Sequence, residues 1–271
     1  MYEKIKNITS LIQSKIPHNF KPKVGIIMGS GLGELANAID VLVEIPYNTI
    51  EGFPVSTVQG HNGQFIVGTI KGKPIIAMQG RVHFYEGYTI QDVVMPVRVM
   101  AMMGIENLIV SNAAGGVNLN YNVGDIMLIE DHINLIPNPL LGQNDDRLSP
   151  RFLPMWNAYN TQLIEIAVKV ADKLNVNIHK GVYLGSTGPT FETKAEYKHF
   201  RIIGADTCGM STTPEVIAAH AMGVKVLGFS LVTNATKNDN VATDHQEVQL
   251  IGKQKANVLS NLIEHIIDEL D

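Results

Sequence analysis

The hydrophobic positions of the chain follow two kinds of pattern, one typical of helices and one typical of buried strands. Across residues 2–16, isoleucines recur at helical spacing with polar residues between them, which predicts an amphipathic helix. Residues 23–28 contain a short apolar run followed by glycine, the pattern of a buried parallel strand that leads into a loop. Residues 64–70 and 74–78 are apolar runs on either side of Lys71-Gly72-Lys73, and they predict a β-hairpin.

Strand patterns and helix signals alternate along the rest of the chain. Strands are predicted at four further apolar runs, residues 107–111, 125–130, 181–184 and 225–232. Helix start signals stand at Thr89-x-x-Asp92, which opens a helix to residue 103, and at Thr193-x-x-Glu196, Thr213-Pro214-Glu215 and Thr243-x-x-Gln246. The alternation predicts an α/β fold, and the hairpin implies a mixed sheet. Because we find no repeat or composition break, we expect a single domain over residues 1–271, with helices flanking a central mixed β-sheet.

Two polar stretches, residues 134–154 and 234–244, are predicted to be long loops. The first is rich in proline, and the second has Asn238-Asp239-Asn240 at its centre. Loops of this length inside a compact domain are usually functional or mobile.

Composition narrows the class of protein. With 271 residues, 45% of them hydrophobic, the chain can bury an extensive core, and a net charge of -5 argues against a nucleic-acid or acidic-membrane binder. The single cysteine, Cys208, excludes an intramolecular disulfide and a cysteine-cluster metal site, and with no base adjacent in sequence it favours a buried structural thiol. The nine histidines show no metal-binding spacing, so we expect no metal site. We find no apolar stretch of about 18 residues and no signal peptide, which predicts a cytoplasmic protein.

A glycine-rich loop, Gly29-Ser30-Gly31-Leu32-Gly33, follows the first predicted strand. The dinucleotide-binding fingerprint would place a third glycine where Glu34 stands, and the lysine of a P-loop is absent. Taken alone, this segment fits two interpretations, a tight strand–helix turn and an anion-binding loop. Ser30 favours a small free phosphate, because its hydroxyl is a donor between two glycines.

The segment after the hairpin carries Arg81, His83 and Tyr85, whose alternate spacing lets them point to one side. An arginine fork binds phosphate oxygens, and a neighbouring histidine can donate or shuttle a proton. The alternative is a surface salt bridge beside a packed aromatic ring. His61 lies in another glycine loop, where a ligand role and an ordinary turn fit equally well.

Two more polar segments follow predicted strands. Residues 111–116 are small and permit close backbone contact with a ligand at Ala113, although taken alone they indicate a turn. Residues 185–193 end with Phe191 and Glu192, an aromatic ring beside a carboxylate. Stacking and a carboxylate acceptor suit a purine that carries an N1–H or an exocyclic amine. The alternative for Glu192 is a carboxylate that stabilises the start of a helix.

Six motifs in this order resemble the purine nucleoside phosphorylases of the trimeric type, over nearly the whole chain. The motifs are Gly29-Ser30-Gly31-Leu32-Gly33, Gly80-Arg81-x-His83-x-Tyr85-Glu86-Gly87, Ser111-Asn112-Ala113-Ala114-Gly115-Gly116, Gly188-Pro189-Thr190-Phe191-Glu192-Thr193, Gly209-Met210-Ser211-Thr212 and Thr233-Asn234. The resemblance implies a nucleoside phosphorylase-like fold. It also implies reversible phosphorolysis of purine (deoxy)ribonucleosides to the free base and a pentose 1-phosphate, in purine salvage. Inorganic phosphate would be a co-substrate and no cofactor would be needed.

The same resemblance implies a role for each matching residue. Phosphate would be held by Ser30, His61, Arg81, His83, the backbone at Ala113, and Ser211. The nucleoside would be contacted by Tyr85, Phe191, Glu192, Met210, Asn234 and His245, and by Phe152 reaching from a neighbouring subunit of a homotrimer. Asn234, His83 and Glu192 would be the catalytic residues.

The base pocket bears on the choice of substrate. The related methylthioadenosine phosphorylases have aspartate in place of the asparagine and lack the histidine that meets a 5'-hydroxyl, so Asn234 and His245 favour inosine and guanosine over adenosine. Ala235 departs from the lysine of many animal members, and we expect it to change loop packing only. A methylthioadenosine phosphorylase, a nucleotide-cofactor oxidoreductase and a catalytically silent purine binder remain as alternatives. Neither nucleic acid nor a membrane is an expected partner.

Overall fold

The structure is a computed structural model that describes residues 1–29, 33–57, 63–235 and 245–270, without the side chains of residues 245–254. Nine strands of this described part form one sheet. They are β1 (Val24–Met28), β2 (Asp40–Pro46), β3 (Gln64–Ile70), β4 (Lys73–Gln79), β5 (Asn107–Gly116), β6 (Ile126–Asn134), β7 (Ile178–Gly185), β8 (Thr207–Gly209) and β9 (Lys225–Ala235).

The sheet is mixed and closes on itself at one end. The strand order is β2-β3-β4-β1-β5-β8-β7-β6-β9, and β9 also pairs with β5, so five strands form a ring. β1 is parallel to β4 and β5, and β5 is parallel to β9, whereas the predicted hairpin β3–β4 is antiparallel. The predicted α/β fold with a mixed sheet and surrounding helices is confirmed.

Helices cover both faces of the sheet. They are α1 (Tyr2–Gln13), α2 (Ile90–Val93), α3 (Met95–Met102), α4 (Thr161–Lys173), α5 (Lys194–Ile202), α6 (Thr213–Ala221) and α7 (His245–Asp268). Helix α1 packs against α3 and buries Ile5, Ile8 and Ile12, the isoleucines whose spacing predicts it. Helix α7 packs against α4 and β9 on the other face. Burial of one apolar stripe on each helix holds these elements against the sheet.

Two predictions about local structure are wrong. The helix expected over residues 89–103 is two helices, α2 and α3, with Val94 between them and Pro96 at the start of α3. Proline is accepted in the first turn of a helix but not in its interior, because it has no backbone N–H. Residues 111–116 are not a turn but the second half of β5, where parallel pairing with β9 continues to Gly116.

The long segment between β6 and α4 holds no helix or strand in the structure, as expected of a loop. Of the second predicted loop, residues 236–244 lie outside the described residues. Within the described ranges, no helix is both long enough and apolar enough to span a bilayer.

Candidate active site

A cavity of about 350 Å³ opens where the ends of several strands meet, bounded by residues at or beyond β1, β4, β5, β8 and β9 and by the loop after β7. Clefts at strand ends of α/β sheets are common ligand sites. Nine of the residues singled out from the sequence line it: Arg81, His83, Tyr85, Ala113, Phe191, Glu192, Met210, Ser211 and Asn234. Fold closure therefore gathers residues more than 150 positions apart around one space.

Of the other four predicted residues, only Phe152 has a described side chain. Ser30 and His61 lie outside the described residues. His245 is the first residue of α7, but its side chain is not described. Phe152 lies on the loop between β6 and α4 and is 87% exposed, away from the cavity of its own chain.

One end of the cavity is built around the buried guanidinium of Arg81. Its Nη1 lies 2.6 Å from Glu215 Oε2, and both side chains are only 2% exposed. The same nitrogen donates to Thr212 Oγ1 at 3.3 Å, and Nη2 donates to the carbonyl of Ser111. A buried ion pair with further hydrogen bonds fixes the orientation of the fork at the cavity wall. Arg81 is therefore a fixed positive group rather than part of a surface salt bridge.

Gly29 is required where β1 and β5 approach Arg81. Its backbone N–H donates to Ser111 Oγ at 3.1 Å. A Cβ at this position would lie 2.2 Å from the Ser111 carbonyl oxygen and 3.0 Å from Arg81 Nη2. Only glycine permits this approach, so the first glycine of the loop has a packing role besides any contact with a ligand.

Thr212 has a strained backbone that directs its side chain into the same cluster. It has φ 68° and ψ −54°, and the Thr213 N–H donates to the Ser211 carbonyl at 2.8 Å, which closes a γ-turn. Thr212 Oγ1 accepts from Asn112 Nδ2 at 2.9 Å as well as from Arg81. Such strain persists only where surrounding contacts hold it, and it is frequent at functional sites. Ser211, directly before the turn, is placed on the cavity wall.

His83 is held by a carboxylate at the start of a short 3-10 turn. Glu86 Oε1 lies 3.1 Å from His83 Nδ1 and accepts from the His83 backbone N–H at 2.7 Å. Burial opposes ionisation of Glu86, but hydrogen bonds from His83 and Thr57 outweigh it and lower its pKa to about 2. The His83 ring stacks on Tyr85 with 4.8 Å between centroids. Both rings are thus oriented at the cavity wall by contacts within one short segment.

The other end of the cavity carries an amide, a carboxylate and an aromatic ring. Asn234 is 9% exposed, and its Nδ2 donates to Tyr197 Oη at 3.1 Å. Ser186 Oγ donates to Glu192 Oε1 at 3.5 Å, and the Glu192 carboxylate is close enough to raise the pKa of both Tyr197 and Cys208. Phe191 remains 42% exposed, so its ring is accessible for stacking.

Cys208 is buried, as expected of a structural thiol, yet it also lines the cavity. Burial and the neighbouring Glu192 raise the pKa of the Cys208 thiol well above its usual range, so it stays protonated and is a poor nucleophile. Among the residues that the structure describes, no three histidine, cysteine or acidic side chains are grouped so that they could hold a metal ion.

Sequence reasoning did not identify Glu215, Thr212 or Tyr197 as parts of the site. Glu215 is visible in the sequence only as the acidic residue of a capping box at the start of α6, where it also accepts from the Thr212 backbone N–H at 3.1 Å. Tyr197 follows the capping box Thr193-x-x-Glu196 by one residue. Both signals predict helix starts, and neither reveals the long-range partner.

The arrangement suits a ligand with an anionic part and a flat heterocycle. Arg81, His83 and Ser211 offer donors at one end, and Phe191, Glu192 and Asn234 offer stacking, an acceptor and an amide at the other. Tyr85 and Met210 lie on the same wall. A phosphate and a nucleobase could therefore be bound side by side.

Comparisons with a family model, with curated relatives and with solved structures all point to one family. Residues 23–268 match the family model described as Phosphorylase superfamily. The chain is 45% identical to "Purine nucleoside phosphorylase 1" of Bacillus subtilis (strain 168), with 100% of both chains covered. It is similar to a Schistosoma mansoni purine nucleoside phosphorylase solved in complex with inosine, at 39% identity and a TM-score of 0.93 over 99% of this chain and 97% of that one. The same enzyme in complex with adenosine also has a TM-score of 0.93, at 40% identity over 99% and 98% of the two chains.

Proposed function

The chain belongs to the purine nucleoside phosphorylases of the phosphorylase superfamily, and on that premise we propose that the described cavity carries out phosphorolysis of 6-oxopurine nucleosides. The reaction converts inosine or guanosine and phosphate to the free base and a pentose 1-phosphate, and it runs in both directions. The observation that carries the proposal is the convergence of the donor set around Arg81 and the base-binding set around Asn234 on one 350 Å³ cavity.

The chemistry fits these side chains without a protein nucleophile. Cleavage of a glycosidic bond passes through an oxocarbenium-like state, with positive charge on the sugar and negative charge on the leaving purine. Phosphate held by Arg81, His83, Ser211 and the Ala113 backbone stabilises the cation and then attacks C1'. Preorganised groups of this kind commonly make the largest contribution to catalysis. No cofactor is required, because phosphate itself is the attacking group.

The purine leaves more easily when the charge on its N7 is neutralised. An amide is not an acid, so the neutralising proton comes from solvent. We assign to Asn234 the binding of the N7-protonated base, with its oxygen accepting from N7–H and its NH₂ group donating to the 6-oxo oxygen, while Glu192 accepts from N1–H and Phe191 stacks on the ring. Tyr85 and Met210 are assigned to the ribose. Ser30 and His61 are assigned to phosphate and His245 to the 5'-hydroxyl by family resemblance alone.

The function is tested by following inosine by ultraviolet absorbance with and without phosphate. We expect turnover only with phosphate, with hypoxanthine and ribose 1-phosphate formed in equal amounts. Turnover without phosphate would indicate a hydrolase, and no turnover at all would favour a silent purine binder.

A parallel series with guanosine, adenosine and 5'-methylthioadenosine separates the 6-oxopurine assignment from the alternative methylthioadenosine phosphorylase. Turnover rather than binding must be compared, because a related enzyme has been solved in complex with adenosine. Preferred turnover of 5'-methylthioadenosine would replace the present assignment by that alternative.

We also propose a homotrimer in which Phe152 closes the sugar end of a neighbouring cavity. Its support is that the loop between β6 and α4 carries three strongly exposed apolar side chains, Leu141 at 71%, Phe152 at 87% and Trp156 at 100%. Exposed apolar groups of this size commonly mark interaction surfaces. We further propose that the protein acts in the cytoplasm and that residues 1–271 form one domain, supported by the single closed sheet.

Sedimentation is expected to give about three times the chain mass of 29.7 kDa. The substitution Phe152→Ala is expected to raise KM for inosine about tenfold, since one aromatic contact is worth roughly 1–1.5 kcal/mol, and to leave KM for phosphate unchanged. Ile202→Ala, which shortens an apolar side chain that is 82% exposed on α5, is the control. A fully active monomer would rule the trimer out.

A further inference from the structure

We propose that Tyr197 is a positioning residue for purine selection, because its hydroxyl accepts from the Asn234 amide beside Glu192 and fixes which side of that amide faces the base. This role rests on the proposed function, since it concerns the same cavity. Tyr197 itself is not among the cavity-lining residues and would act through Asn234, the side chain to which it is hydrogen-bonded.

The hydroxyl lies beside both base-binding groups. Asn234 Nδ2 donates to Tyr197 Oη at 3.1 Å, and the Glu192 carboxylate is close enough to raise the pKa of the same hydroxyl. The position of a Cβ on Gly115 would be 2.8 Å from Tyr197 Oη and 3.2 Å from Asn234 Nδ2. A methyl group there would have to displace the end of the Tyr197 side chain, so these two polar atoms meet at a single point on β5.

The start of α5 explains why Tyr197 lies near Glu192. Thr193 is the N-cap of the helix, so Glu192 is the residue before the cap and Tyr197 is the fourth residue of the helix. Side chains at these two positions pack against each other at many helix starts, usually as an apolar pair. Here the pair is a carboxylate and a phenol. The Tyr197 ring is only 8% exposed and packs with Phe200, which keeps the hydroxyl in place.

The direction of the hydrogen bonds then follows from what each group can donate. Tyr197 has a single proton, and the neighbouring Glu192 attracts it because a carboxylate can only accept. Burial raises the pKa of Tyr197, so the hydroxyl keeps that proton. The oxygen of Tyr197 therefore offers only a lone pair to Asn234, which must present its NH₂ group. Asn234 Oδ1 accepts from Thr233 Oγ1 at 3.3 Å, in agreement with this orientation.

An amide held in this orientation discriminates between purines. One N–H of the amide points to Tyr197, and the other can donate to a 6-oxo oxygen. Oδ1 then remains an acceptor for a protonated N7. A 6-amino group would place its own N–H donors against those of the amide, and no hydrogen bond could form between them. Without the hydroxyl, the amide can turn and present Oδ1 to an amine, so the selection would weaken.

The test is Tyr197→Phe, which keeps the buried ring and removes only the hydroxyl. Loss of one buried hydrogen bond corresponds to a change of about tenfold. We expect kcat/KM for inosine to fall about tenfold, the inosine-to-adenosine ratio to fall by a similar factor, and KM for phosphate to stay unchanged. Tyr121→Phe is the matched control, because this buried phenol donates to the Lys180 carbonyl at 3.2 Å and is not among the cavity-lining residues.

The substrate ratio separates positioning from mere support of the fold. If Tyr197→Phe lowers turnover of inosine and adenosine by equal factors, the positioning role is wrong. If Tyr197→Phe does not fold, Gly115→Ala decides, because its methyl group would push Tyr197 Oη away from Asn234 and should lower the same ratio. The wild-type protein is measured in the same assay, so an absence of phosphate-dependent turnover there would refute the proposed function instead.

Discussion

Arg81→Ala is expected to weaken phosphate binding far more than nucleoside binding and to lower kcat/KM by a factor of about 10² to 10³. Arg81 supplies the one buried guanidinium in the wall of the cavity, and its fork is oriented by Glu215, Thr212 and the Ser111 carbonyl. No other described residue in that wall carries a permanent positive charge. Separate titrations of phosphate and of inosine measure the two effects.

The same substitution is expected to destabilise the protein. It would leave Glu215 as an uncompensated carboxylate that is 2% exposed, a situation that costs about 3–5 kcal/mol in the free energy of unfolding. Arg98→Ala is the matched control, because Arg98 is a buried arginine that bonds Gln91 and the Pro139 carbonyl and is not among the cavity-lining residues. The control should lose stability without a specific loss of phosphate affinity.

A double substitution separates stability from ligand binding. Arg81→Met together with Glu215→Leu replaces the ion pair by apolar side chains of similar volume, and such replacements are often neutral or stabilising. We expect chemical denaturation to show recovery of most of the lost stability while phosphate affinity stays low. Equal losses for phosphate and nucleoside in Arg81→Ala, or recovery of phosphate binding in the double variant, would contradict the role given to Arg81.

The fold was most predictable where burial leaves a periodic mark on the sequence. The hairpin β3–β4 has a buried apolar run on each side of a short turn and α1 has an apolar stripe, so both were located closely. β2 was missed because only Ile45 of its seven residues is buried, whereas Val41 and Leu42 are about half exposed, so its apolar residues do not mark one buried face. β8 was missed because three residues are too short to show a period. Closure of the ring by β9 depends on pairing between distant strands, which no local pattern encodes.

The site was predictable where whole motifs carry the chemistry and not where single side chains support them. Resemblance to a family located Arg81, Glu192 and Asn234, and folding brings them to one cavity. Glu215 and Tyr197 each act on a partner many residues away, and in the sequence they appear only as ordinary positions in the first turns of helices. Local signals predict a helix start there equally well whether or not the side chain has a distant partner.

Asn234→Asp is expected to shift the preference from inosine toward adenosine, with the ratio of their kcat/KM values falling by a factor of about 10² or more. A carboxylate at position 234 has no N–H for a 6-oxo group but accepts a hydrogen bond from a 6-amino group. It would also accept the Tyr197 proton, because the Asn234 amide lies 3.1 Å from Tyr197 Oη. Inosine therefore loses the N–H donor to its 6-oxo group, which would otherwise stabilise the negative charge that develops on the leaving base.

The introduced carboxylate would lie in a buried position, close to Tyr197 and through it to Glu192. Desolvation and the neighbouring negative charge both raise the pKa of a carboxyl, so part of it would be protonated near neutral pH. A protonated carboxyl can act as an acid toward N7, and adenosine turnover of the variant should therefore fall as pH rises through that pKa. Initial rates for both nucleosides, measured at saturating phosphate between about pH 5.5 and pH 8.5, test this. The range lies above the ordinary carboxyl pKa of about 4, where a raised pKa would fall.

Asn234→Ala provides the control for this change, because it removes the amide without adding a carboxylate. It should lower turnover of inosine and adenosine together, without the gain for adenosine. An inosine-to-adenosine ratio that is the same in the wild type and in Asn234→Asp would show that position 234 does not read the 6-substituent. The selection would then have to come from Glu192, whose carboxylate accepts from N1–H of a 6-oxopurine but finds no such proton on adenine.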